Sequence, residues 1–158
     1  MATTHKMKTT FELKEGGMYF NDALEYIIGK KALYTIVNER TGNRFTFKTK
    51  EGKSNKNFLN IHVLTGPDNT SNYSILGYIG KHNWNFQTSQ FSTISTDAQS
   101  FKVFQWVYNH LRNNTLPDYI SVYHHGKCSR CGRNLTVPHS IEAGIGPECM
   151  KQRLMGRK

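Results

Sequence analysis

Between Ser95 and Asn114 the apolar side chains recur at helical spacing, with Phe101, Phe104, Val107, Tyr108 and Leu111 on one stripe. That is how a helix turns a single face toward a core, and at this spacing the stripe reads as core rather than as a surface for stacking bases. Thr96 followed by Gln99 predicts a capping box, Asp97 suits the positive end of the helix dipole, and Pro117 ends the element. A second, shorter amphipathic helix is predicted within residues 19–29, where Asn21 is the cap, Ala23, Leu24, Ile27 and Ile28 form the apolar face, and Gly29 is the stop.

Elsewhere the pattern is that of strands. β-Branched and aromatic runs flank Thr41, Gly42 and Asn43, which predicts a hairpin over residues 32–48 with Phe45 and Phe47 on one face. The polar, basic stretch 48–57 predicts a loop. Residues 58–64 and 73–79 form a second strand pair, joined by the turn-rich stretch 65–72, and residues 118–125 supply a last short strand. The fold expected is α+β: a small antiparallel sheet packed with one or two helices, followed by a C-terminal module of zinc knuckle and short helix. Its parts are an N-terminal tail (1–18), the α+β domain (19–123) and the module with its basic tail (124–158). No repeat or phosphate-binding glycine loop is present; the glycines of "TGNR" and "GYIGKHN" read as turns.

A chain of 158 residues can bury a core without covalent staples. Its formal charge of +10 favours acidic partners such as nucleic acid. The charge sits at the ends: residues 57–123 carry three basic and three acidic residues, whereas 124–158 carry seven basic and two acidic. No apolar run approaches the length of a membrane span and the first residues lack the apolar core of a signal peptide, so an intracellular protein with no membrane partner is expected.

All three cysteines, Cys128, Cys131 and Cys149, fall in one short segment, which points to metal or redox chemistry more than to disulfides. Gly132 follows the second cysteine, where a chain wrapping its amides around thiolates needs a residue free to adopt positive φ. Pro147 after Gly144 and Gly146 predicts a helix start beside Cys149, where the dipole favours a thiolate. These make three legs of a tetrahedral zinc site. His124, His125 and His139 are the candidates for the fourth, and the H-x3-C spacing places His124 first.

The segment resembles the signature of a family of small phage- and prophage-encoded proteins of unknown function, HxGxCxxCGRxLTxPxSIxxGIGPxC. His124, Gly126, Cys128, Cys131, Gly132, Arg133, Leu135, Thr136, Pro138, Ser140, Ile141, Gly144, Ile145, Gly146, Pro147 and Cys149 match it. His139 departs from it, standing where that pattern has a carboxylate. The upstream stretches "ALEYIIGKKALYTIVNERTGNRFTFK", "VLTGPDN" and "LGYIG" are similar to segments of longer phage proteins of this type. The resemblance implies a phage origin, hence the host cytoplasm, and an architecture; it implies no activity.

A closed site of three thiolates and one histidine is structural and leaves no position for water, so no enzyme and no small-molecule substrate are expected. A zinc deaminase would need a His-x-Glu or Cys-x-Glu ahead of its cysteine pair, and none precedes Cys128. A redox dithiol would sit at a helix start without a third cysteine. What remains is binding. Lys127, Arg130 and Arg133 beside the first pair, with Lys151 and Arg153 after Cys149, make a basic surface for the backbone of DNA or RNA. The alternative is a phage inhibitor of host takeover or anti-defence type, whose same surface grips a host protein.

Overall fold

The computed structural model describes residues 4–13, 17, 19–65, 73–132 and 134, and among these the chain forms nine strands and two helices. The expected hairpin is the centre of the fold: β4 (Lys31–Asn38) pairs antiparallel with β5 (Arg44–Glu51). Their turn is closed by Asn38 N–H donating to the Asn43 carbonyl, with Gly42 at φ +79°. β6 (Phe58–Leu64) and β7 (Tyr73–Gly80) form the second pair, with a bulge near Ile61 and His62. The stretch 66–72 of their expected turn lies outside the described residues.

Three further strands extend this meander. β1 (His5–Met7), β8 (Phe86–Gln87) and β9 (Ile120–His124) complete a seven-stranded sheet in the order β1-β9-β4-β5-β6-β7-β8. β2 (Glu12–Leu13) and β3 (Tyr19–Phe20) form a separate two-stranded ribbon. Every pairing among the described residues is antiparallel, and with the two helices this agrees with the α+β class expected from the sequence.

Both helices pack on one face of the sheet. α2 (Gln99–Asn113) buries Phe101, Phe104, Val107, Tyr108 and Leu111, the stripe its spacing predicts. Phe104 is fully buried at its middle, with its ring 5.2 Å from Phe47, 4.7 Å from Phe86 and 5.8 Å from Tyr108. α1 (Asp22–Ile27) is capped by Asn21, whose Oδ1 accepts from Leu24 N–H at 3.0 Å, and buries Ala23, Tyr26 and Ile27. No helix among the described residues is long and apolar enough to cross a membrane.

Four expectations need correction. Residues 5–7 are no tail: β1 pairs with β9, and Met7 is buried in the core. The stretch 48–57 is loop only from residue 52, because Lys48–Glu51 continue β5 against β6. The N-cap of α2 is Ala98, without a side-chain hydrogen bond, in place of the Thr96–Gln99 capping box. There Ser95 takes the local role, its Oγ accepting from Asp97 N–H and its carbonyl from Ala98 N–H. A boundary at residue 124 cuts through the sheet, since His124 is the last residue of β9 and pairs with both His5 and Tyr34.

If Met7 is core rather than tail, Met7→Ala should destabilise the protein by about 2–5 kcal/mol in urea unfolding. A loss within about 0.5 kcal/mol, the range of an exposed substitution, would mean that β1 is not held against β9.

Candidate functional site

The first cysteine pair follows β9 in a tight turn. Gly126 (φ +79°) bends the chain out of the strand, and Gly132 (φ +78°) closes the turn with its N–H donating to the Cys128 carbonyl at 2.9 Å. This is the conformation for which the glycine after Cys131 was singled out. Arg130 N–H donates to the Cys128 sulfur at 3.4 Å, and a bridge between Lys127 and Asn134 brings the chain back antiparallel. Cys128 is buried and Cys131 half-exposed.

The turn is seated against the loop that joins α1 to β4. Lys31 N–H donates to the Ser129 carbonyl at 2.8 Å, and Ser129 is buried. Gly29 makes the seat possible: a Cβ there would collide with the Ser129 carbonyl oxygen and side chain. This glycine is therefore more than a helix stop. Tyr26 supplies the second attachment, its hydroxyl donating to the Lys127 carbonyl at 2.8 Å and lying 3.3 Å from that of Leu33. Burial raises the Tyr26 hydroxyl well above its ordinary pKa, outweighing the Leu33 hydrogen bond that lowers it, and the nearby Cys128 raises it further.

His124 is fully buried, stacked on the Tyr26 ring at 5.3 Å and tilted against His5 at 5.1 Å. Its Nδ1 accepts from Gly126 N–H at 3.0 Å, so a neutral ring in this arrangement carries its proton on Nε2. Tyr26 thus meets both His124 and the cysteine turn. His125 points to the other face, where its Nε2 lies 2.9 Å from Thr35 Oγ1. Burial, then Arg44, lowers the His125 pKa. No three possible ligands come together among the described residues. Cys149, His139, Arg133, Lys151 and Arg153 lie outside them, as does the expected short helix, so the described part of the site is Cys128, Cys131 and His124 with Lys127 and Arg130. Lys127 is exposed and Arg130 half-exposed.

One group of residues was not found in the sequence. On the sheet face opposite the helices, Lys31 is the cross-strand partner of Lys50, and Lys48 is that of Leu33 and His62. Lys31 and Lys50 are exposed. The Lys48 ammonium lies over the Tyr73 ring, 4.2 Å from its centre, and burial, then Lys50, lowers its pKa. The same face carries Phe58 and Tyr78, whose rings meet edge to face at 5.3 Å. Lys31 links this face to the cysteine turn, because a Cβ on Gly132 would touch its side chain at 3.3 Å. Period-two alternation was the available signal for Lys48 and Lys50; their meeting with Lys31 depends on register.

The profile of a family of unknown function, DUF6011, matches residues 121–154, which span the end of β9, the cysteine turn and the segment beyond it. No curated protein and no solved structure matches the chain.

Two outcomes follow from this geometry. Gly29→Ala should unseat the cysteine turn, lowering the unfolding midpoint and speeding alkylation of Cys128 in metal-free protein; unchanged stability and reactivity would show that the seat is not tight. His62 is held below its ordinary pKa by burial, then by Lys48 and Lys50. An imidazole harder to protonate folded than unfolded favours the folded state fully above about pH 6.5, the ordinary histidine value, and progressively less as pH falls through the folded pKa. Urea midpoints should fall over that window, less so in His62→Gln, and an NMR titration placing His62 at or above the ordinary value would contradict this.

Proposed function

We propose that this is a non-enzymatic, phage-type protein that carries one structural zinc in its C-terminal segment and binds nucleic acid through phosphate contacts on that segment. The observation that carries the reading is the Cys128–Cys131 turn: a buried sulfur accepting a backbone amide, with glycine at positive φ directly after the second cysteine. Amides turned toward sulfur stabilise thiolates, and a thiolate is the form that zinc binds.

Cys128, Cys131 and Cys149 are the proposed thiolate ligands and His124 the fourth. His124 lies at the start of the turn on the same tyrosine that anchors it. Ligation through its Nε2 would move the ring proton to Nδ1 and release the Gly126 amide, and ligation through Nδ1 would displace that amide directly. His125, engaged with Thr35, and His139 remain the alternatives. Closed ligation leaves the metal no open position, so its role is to fold the segment. Lys127 and Arg130, with Arg133, Lys151 and Arg153 of the matched segment, are then the phosphate contacts.

Metal analysis should find one zinc per chain, lost in Cys128→Ser, Cys131→Ser and Cys149→Ser. His124→Ala should lose more metal than His139→Ala; equal retention would pass the fourth position to His125 or to a ligand that is not histidine. Protein purified without chelator that holds no zinc would overturn the metal site.

Replacing Lys127, Arg130 and Arg133 together should weaken binding to every sequence alike and flatten the salt dependence by up to about three units of slope on duplex DNA. If the intact protein binds neither DNA nor RNA at roughly 50 mM salt, where phosphate contacts are strongest, nucleic-acid binding fails. A host protein that co-purifies with the intact chain and is lost with this triple variant would then identify the basic surface as an inhibitor's.

A further inference from the structure

The sheet has two unlike faces. α1 and α2 cover the one that bears Tyr34, Phe47, Leu59 and Ile61, while among the described residues no helix covers the other. On that open face Lys31, Lys48 and Lys50 sit on two adjacent strands, Lys31 directly opposite Lys50 and Lys48 two residues further along, roughly 7 Å at strand spacing. Like charges placed opposite one another across strands destabilise a sheet. None of these three lysines forms an ion pair with a described residue, in contrast to Lys81, whose ammonium lies 2.8 Å from Glu51. Lys48 instead rests on the Tyr73 ring.

Aromatic rings lie beside this charge. Phe58 and Tyr78, both half-exposed, flank Asn60, which is the cross-strand partner of Lys50 and of Tyr78. Cations without an ionic partner among the described residues, set beside half-exposed rings, fit a chain of phosphates that also presents flat bases. A duplex keeps its bases stacked inside and offers the rings nothing. An acidic protein surface would answer the lysines, but it does not repeat a flat ring beside each charge as a single strand does.

We infer that the part of the open face formed by β4 to β7, exposed at Lys31 and Lys50, is a track for single-stranded nucleic acid, in which Lys31, Lys48 and Lys50 take phosphates while Phe58 and Tyr78 stack on bases. The track takes from the proposed function only that nucleic acid is the partner. It adds a surface that runs into the cysteine turn through Lys31, whose amide holds Ser129 and whose side chain lies against Gly132.

The test measures fluorescence anisotropy of labelled oligothymidylate, oligouridylate and a duplex of equal length, across salt, with the full chain purified without chelator. Intact protein should favour both single strands over the duplex. Combining Lys31→Gln, Lys48→Gln and Lys50→Gln should flatten the single-strand salt slope by about two units, at roughly 0.7 for each phosphate no longer neutralised. Phe58→Leu should weaken single-strand binding about fivefold or more and leave the duplex unchanged. Circular dichroism should match that of intact protein in every variant, which separates a loss of binding from a loss of fold.

Weakened single-strand binding in the sheet variants while the Lys127, Arg130 and Arg133 variant binds normally would keep the track and remove the phosphate role of the cysteine segment. The reverse pattern would overturn the track and leave the proposed function standing. Equal weakening of duplex and single strands, with no effect of Phe58→Leu, would also overturn it. Intact protein that binds no nucleic acid overturns both.

Discussion

A buried phenol is costly unless its hydroxyl finds an acceptor, and where the Tyr26 hydroxyl finds one fixes the relation between the sheet and the cysteine turn. It reaches the Lys127 carbonyl, immediately before Cys128, while its ring stacks on His124 and meets Tyr34 edge-on at 6.3 Å. One side chain from a six-residue helix therefore touches the core, the last residue of β9 and the cysteine turn. Leaving the buried Tyr26 hydroxyl without an acceptor would cost about 1–3 kcal/mol, comparable to a large share of the stability of a small domain. Gly29 completes the attachment by leaving room for Ser129.

The two faces of the sheet divide the remaining work. Aromatic packing around Phe104 accounts for the helical side, where Tyr34, Phe47, Phe86 and Tyr108 all meet its ring. The opposite side concentrates cations that the described part of the chain leaves unpaired, with rings among them. A protein with 21 basic and 11 acidic residues had the means to neutralise several of its lysines locally. That Lys31, Lys48 and Lys50 stand together places charge where it is costly to the folded state and useful to an anionic partner.

Legibility in the sequence tracked the range of the interaction concerned. α2 and the β4–β5 hairpin were readable because spacing along the chain alone decides which side chains share a face, and Gly132 was readable because the need for positive φ is local to its turn. β1 was not: three residues, "HKM", show no alternation, and the strand they complete lies near the other end of the described chain. The cap of α2 was missed because Thr96 and Gln99 satisfy the capping pattern by spacing alone, whereas the turn made by Ser95 carries the chain on to Ala98. The basic group on the open face escaped because Lys31 and Lys50 become neighbours only through cross-strand register.

β9 is the last strand of the sheet to be made and lies between β1 and β4, not at an edge. During synthesis the β4–β8 meander can pair as it emerges, but β1 has no sheet partner until residues 120–124 arrive and insert between it and β4. Contacts between the two ends of a chain are the slow ones to form, since the loop must close before they contribute. Completion of the sheet and delivery of the cysteine turn thus depend on the same pairing of β9, and a chain halted before β9 would expose the flank of β4 as an unpaired edge open to aggregation.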